Sequence, residues 1–308
     1  MFNILPGLYR RYRRRSLYFI VAAIATFATV LAIAKITLAF DITPVASRHP
    51  VETQTKNSDW QDLMRPQIER IQFLTMSDRQ EVAMGRQINE ELIQYNGLEF
   101  YNDSQINQYI KGIGRQLAGN SDRPNLPYTF QIVDNDEINA FATIGGFVYI
   151  YTGLLRVADN EAQVAGVLAH EIGHIVAKHG LKKAERLIVE RGLREASQKD
   201  PNIAVRISAE VALKLSRSRG QEREADRLGM ETLIRTGYAP AGAVQMLQKL
   251  IMTDEVPSFL RSHPAPADRI AELEEAIEPS ERNVGKGLDS AAYKARIQRL
   301  LASDDDEN

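Results

Sequence analysis

One five-residue string holds most of the chemistry that the 308-residue chain can do: His170-Glu171-Ile172-Gly173-His174, of the form H-E-x-x-H. Residues four apart share one face of a helix, so both imidazoles can reach a single metal ion at about 2.0–2.1 Å. Glu171 is turned by about 100° around the same helix. It therefore flanks the metal rather than binding it, where a base can take a proton from an activated water. The preceding run Val164-Ala165-Gly166-Val167-Leu168-Ala169 is apolar and would shelter such an ion. The chain has no cysteine, which excludes disulfides, thiolate ligands and cysteine nucleophiles. Any metal must be held by His, Asp or Glu, and the histidines are His49, His170, His174, His179 and His263.

Two histidines leave a catalytic zinc one protein ligand short. A metzincin would continue with Gly and His, but here Ile175-Val176-Ala177-Lys178-His179 follows. His179 lies nine residues after His170, about 180° away on a continuing helix. It reads as a cation at the helix C-terminus beside Gly180. The third ligand must come from downstream. Glu222, in Gln221-Glu222-Arg223-Glu224-Ala225-Asp226, is the best candidate. Asp226 shares its helix face and could accept a hydrogen bond from the far nitrogen of a ligating histidine. Periodicity alone leaves Glu224 and Glu210 as competitors.

These pieces resemble the family-48 zinc metallopeptidases, the group that includes HtpX, BepA, the Oma-type mitochondrial protease and the CAAX prenyl protease. The likeness covers roughly residues 75–280 and is strongest to the BepA-like branch. It rests on Asn139-Ala140-Phe141-Ala142 followed by Gly145-Gly146 and a strand, on Glu161 to Gly180 with H-E-x-x-H, on Glu222 to Asp226, and on Ser262-His263-Pro264 with Arg269. The resemblance implies a zinc-dependent endopeptidase with one Zn2+ per chain. Its ligands would be His170, His174 and Glu222, its base Glu171, with Asp226 behind the ligands. It implies that His263 sits near the zinc and can fill the open position. It also implies that Gly146, Phe147, Val148, Tyr149, Ile150 and Tyr151 form an edge strand on which an extended peptide would pair. Protein quality control, acting on misfolded or envelope-associated proteins, is the expected role. A zinc-bearing, largely latent client-binding protein is the alternative, and a deacylase is a further rival. The chain differs from the multi-span members in having one apolar segment, and from BepA in lacking a long repeat domain after the protease.

The elements that must position these residues are mostly helical. Helical patterning runs over 60–96 with Ser77 as N-cap and Gly97 as stop, and over 103–118 before Gly119. Strand signals cover 128–133 and 147–151. A helix capped by Asp159 or Asn160 carries the H-E-x-x-H string to Gly180, and further helices are expected at about 181–197, 203–236, 240–252, 267–277 and 289–301. Pro257, Pro264 and Pro266 mark a loop around His263. No internal repeat is present. The fold class is α+β, mostly helical: a zincin-like domain over 60–302 with a small β-sheet beside the H-E-x-x-H helix.

Ahead of that domain, arginines crowd residues 1–16 and Leu17–Ala34 runs 18 residues without a charge. At 1.5 Å per residue this spans roughly 27 Å, close to a bilayer's hydrocarbon thickness. Residues 17–40 thus read as one transmembrane signal anchor, or as a signal peptide cleaved after Ala32-Ile33-Ala34. Positive charge before the span keeps the N-terminus cytoplasmic and sends the catalytic domain to the periplasmic or envelope side. Residues 41–59 form a linker, and 303–308 an acidic tail. The formal net charge of −2 gives no pull towards nucleic acid. Protein or peptide substrates and the membrane are the expected partners; nothing in the sequence sets the oligomeric state.

Overall fold

A computed structural model describes residues 75–214, 216–264 and 267–302. The expected membrane segment at 17–40, its basic flank, the linker, the onset of the domain at 60–74 and the tail at 303–308 lie outside the described residues. No helix among the described residues is long and apolar enough to cross a membrane.

The chain opens with helix α1 (Asp78–Asn96). Ser77 and Gln80 cap it reciprocally, and Gly97 closes it in the left-handed conformation at φ 66°. Helix α2 (Ser104–Gly119) starts from Asp103, whose carboxylate accepts from the N–H groups of Gln105 and Ile106. Three strands follow: β1 (Thr129–Val133), β2 (Ala140–Ala142) and β3 (Phe147–Tyr151). Their order is β1-β3-β2, with β1 parallel and β2 antiparallel to β3.

That order corrects the expected edge strand. Residues 147–151 are the centre of the sheet, hydrogen-bonded on both sides and buried at every position. Gly146 belongs to the preceding turn, at φ 92° beside Gly145 at φ 82°. The antiparallel edge is β2, three residues long and too short for an alternating pattern to show in sequence.

After the short α3 (Thr152–Val157), helix α4 (Glu161–Val176) carries the H-E-x-x-H string. Asn160 caps it, and fourteen of its sixteen residues are buried, which marks a helix enclosed on all sides. Its end differs from the expectation. Lys178 takes the left-handed conformation (φ 56°, ψ 34°), and a new helix, α5 (His179–Glu190), begins at once. Gly180 therefore lies inside α5. Helices α6 (Arg194–Lys199), α7 (Asn202–Lys214), α8 (Arg219–Arg235), α9 (Ala241–Ile251), α10 (Ser258–Ser262), α11 (Ala267–Glu275), α12 (Ser290–Arg296) and α13 (Gln298–Ala302) complete the described elements. The single helix expected over 203–236 is thus two. The break coincides with Ser218, which caps α8 through a capping box with Gln221.

Helix α8 lies directly against α4. A Cβ at Gly173 would stand 2.5 Å from the Ala225 carbonyl oxygen, and one at Gly229 would stand 2.9 Å from the His170 nitrogen. These glycines let the two backbones touch, which carries Glu222 up to the histidines.

Candidate metal centre

Four side chains from three elements converge in the core. His170 and His174 come from α4, Glu222 from the first turn of α8, and His263 from the residue that ends α10. One ligand atom from each lies within 4.8 Å of all the others. His170 Nε2 is 3.1 Å from His174 Nε2 and 3.2 Å from His263 Nδ1. Glu222 Oε2 is 3.4 Å from His170 Nε2 and 3.3 Å from His263 Nδ1, and its Oε1 is 3.4 Å from His174 Nε2. A regular tetrahedron with its corners about 2.0–2.1 Å from the centre has edges of about 3.3 Å. The separations among these atoms are close to that edge, with Glu222 facing His170 and His263 through Oε2 and His174 through Oε1. Glu222 Oε1 is also buried without a hydrogen-bond partner among the described residues, as expected of an atom directed at a cation.

Glu171 is fully buried on the adjoining face of α4. Neither of its carboxylate oxygens has a hydrogen-bond partner among the described residues, and His263 Nε2 lies 3.4 Å from Oε1. The His263 ring thus stands between Glu171 and the other three ligand atoms. Phe259 stacks on it at 4.5 Å and 18°. The Phe259 N–H donates to the Ile138 carbonyl just before β2, and the Ser262 carbonyl accepts from the Arg217 N–H. The segment bearing His263 is therefore tied both to the chain entering β2 and to the chain entering α8.

The surroundings fix the ligands. Asp226 Oδ1 is 2.8 Å from His170 Nδ1. Arg269, only 3% exposed, donates to both oxygens of Asp226 and to the Pro264 carbonyl at 3.1 Å, and its Nη1 forms an ion pair with Glu222 Oε2 at 2.9 Å. The family likeness includes Arg269 beside Ser262-His263-Pro264 without giving it a role, and since arginine is seldom fully buried, periodicity gives no sign that it is the hub of the centre. Glu224 and Glu210, the sequence competitors for third ligand, lie elsewhere. Glu224 meets His179, and Glu210 pairs with Arg191 through two bonds of 2.7 and 2.8 Å. His179 is not an exposed helix-end cation. It is 2% exposed at the start of α5, and its Nδ1 lies 2.7 Å from His174 Nδ1.

Electrostatics follow from burial and these contacts. Burial alone would raise the Glu222 carboxyl, but His263, His170 and His174 hold it far below the usual range. Burial pushes His174 and His263 below the usual histidine value. Burial acts the same way on His170, yet Asp226 and Glu222 outweigh it and raise this ring to about 9.

With that geometry in view, the sequence comparisons decide the family. Residues 104–277, more than half of the chain, match the model of peptidase family M48. The chain belongs to peptidase family M48. Among M48 relatives, the beta-barrel assembly-enhancing protease of Yersinia pestis is 29% identical over 272 residues, covering 80% of this chain and 54% of that protein. The protein of the same name from Escherichia coli K12 is 30% identical over 215 residues, 64% of this chain and 44% of that one. Metalloprotease LoiP of Escherichia coli K12 is 26% identical over 237 residues, 74% and 92% of the respective chains. The chain spans about half the length of the beta-barrel assembly-enhancing proteases it matches.

Proposed function

We propose that this M48 member is a zinc-dependent endopeptidase of protein quality control, acting on misfolded or envelope-associated proteins. The observation that carries it is the buried cluster of His170, His174, Glu222 and His263 with the wholly buried Glu171 beside it. Two neutral imidazoles and one carboxylate around an exchangeable fourth position suit a catalytic zinc. The ion, when bound, supplies the Lewis acidity that makes water nucleophilic near neutral pH. Glu171 then accepts the water proton as the peptide carbonyl is attacked and delivers it to the leaving amine. His170, His174 and Glu222 hold the ion, and Asp226 with Arg269 holds His170 in place.

The sheet supports one strand for substrate pairing. Main-chain groups alternate sides along an antiparallel strand. Asn139 and Thr143 bond inward, to Tyr151 and Phe147, so Ala140 and Ala142 present theirs outward. An extended peptide that displaced whatever covers this buried edge would pair there rather than on residues 146–151. The Arg-rich start and apolar run at 17–40 support a single-pass anchor with the domain on the periplasmic or envelope side.

A latent, client-binding protein is the second reading, favoured by His263 in the fourth position and by the contacts that tie it down. One comparison separates the two. Casein would be incubated with the full-length protein, with Glu171→Gln and with His263→Ala, and zinc content measured alongside. Cleavage lost in Glu171→Gln with zinc retained supports the protease. Cleavage only in His263→Ala shows the enzyme held shut by its own histidine. Bound zinc with no cleavage by any form would establish the latent reading, and absence of zinc would overturn both.

A further inference from the structure

The two metal-facing histidines of α4 are held from behind in different ways. His170 has a carboxylate, Asp226, itself clamped by Arg269. Behind His174 stands another imidazole. His174 Nδ1 lies 2.7 Å from His179 Nδ1, and His179 Nε2 lies 3.0 Å from Glu224 Oε2.

Hydrogen-bond chemistry allows one arrangement of this chain when a metal is held. His174 turns Nε2 towards the ligand cluster, so that atom must carry a lone pair and Nδ1 the proton. His179 Nδ1 must then accept, which places the proton of His179 on Nε2. That proton points at the Glu224 carboxylate, which accepts it. Each group finds a complementary partner, and the charged end of the chain is the one at which Glu224 is half exposed.

The backbone is bent to make this contact. On a continuing helix His179 would face away from the ion. Helix α4 instead stops at Val176, and Lys178 adopts the left-handed conformation before α5 begins. Among the described residues Lys178 is the one non-glycine with positive φ. A residue with a Cβ adopts that conformation only against a steric penalty that glycine does not have. Here it turns the chain so that the His179 ring comes back over His174, with centroids 5.0 Å apart.

We propose that His179 is a positioning residue of the metal centre: anchored by Glu224, it holds His174 in the tautomer and orientation that present Nε2 to the ion. It touches neither substrate nor metal and acts through His174. Helix α8 thereby supplies a ligand, Glu222, and the outer support of both histidines, Asp226 directly and Glu224 through His179. This rests on the zinc reading above.

The test is zinc affinity, by chelator competition on metal-stripped full-length protein, with kcat and KM recorded in parallel. His179→Phe keeps a buried ring but offers no acceptor to His174. It should weaken zinc roughly 10–100-fold, the usual effect of losing such a partner, and lower kcat with KM little changed. His179→Gln offers an oxygen to His174 and an amide N–H to Glu224, and should recover most of the loss. A ring that merely fills space would lower the thermal midpoint of the metal-free protein and leave zinc affinity alone. Wild-type affinity in a folded His179→Phe overturns the proposal. If that variant does not fold, Glu224→Ala decides: severalfold weaker zinc supports the proposal and unchanged affinity overturns it. A wild-type protein that takes up no zinc would overturn the zinc reading itself.

Discussion

Replacing Arg269 with methionine should lower the thermal midpoint of the metal-free protein by roughly 6–20 °C. The Arg269 guanidinium is buried, donates to Asp226 and to the carbonyls of the segment carrying His263, and forms an ion pair with Glu222. Both carboxylates are themselves enclosed, with side chains 11% and 1% exposed. Methionine matches the aliphatic stem but leaves the two buried carboxylates with His170 in place of the full arginine clamp. Removing one partner of a buried ion pair costs roughly 3–5 kcal/mol. For a domain of roughly 150–250 residues each kcal/mol moves the midpoint by about 2–4 °C, which gives the stated range. Circular dichroism melts with and without zinc would measure it. Zinc should restore part of the loss, because it neutralises Glu222 but not Asp226. Adding Asp226→Asn should cost far less in the Arg269→Met background than in wild type, since the two share one interaction. A midpoint shift below about 2 °C, or simple additivity of the two changes, would refute the view that Arg269 holds the centre together.

Metal-free protein should release about one proton on taking up zinc at pH 7, because His170, raised to about 9, must lose its proton to ligate; titration calorimetry in buffers of different ionisation enthalpy would show it. The same raised value stabilises the metal-free fold fully below pH 6.5, and that contribution should fade as pH rises from 6.5 through 9. Gly173→Ala should destabilise the protein by roughly 1–3 kcal/mol and weaken zinc, since its Cβ would meet the Ala225 carbonyl at 2.5 Å. By contrast Gly112→Ala, where a Cβ meets nothing within 4 Å, should stabilise by about 0.4–1 kcal/mol in urea melts. Ser218→Ala should cost about 1 kcal/mol by uncapping α8, and zinc affinity should fall with it because Glu222 sits in the first turn of that helix.

Local rules made much of this protein legible. H-E-x-x-H is one helical turn, so the pairing of His170 with His174 and the offset of Glu171 need only helix geometry. The cap at Ser77, and one of the two candidates Asp159 and Asn160, act through the next two or three residues, and the structure has Ser77 and Asn160 in those places. The spacing from Glu222 to Asp226 is likewise one turn, and it reaches both the cluster and His170.

Contacts between distant residues could not be read the same way. Whether residues 147–151 lie at the centre or edge of the sheet depends on where a three-residue strand docks, and three residues carry no pattern. Arg269 belongs to the pieces that carry the family likeness, but by local pattern it looks like any surface arginine until α11 presses it onto Asp226, where the cost of burying its charge is offset by two carboxylates. His179 points away from the metal on an extended helix and towards it only after the left-handed turn at Lys178. Its partner Glu224 lies 45 residues further along the chain. The sequence by itself determined the ligands' types and their one-turn spacings, because a helix converts short separations into angles. Only the tertiary structure decided which charges are buried together and which strand is left at the edge, because those depend on packing between segments that no local periodicity encodes.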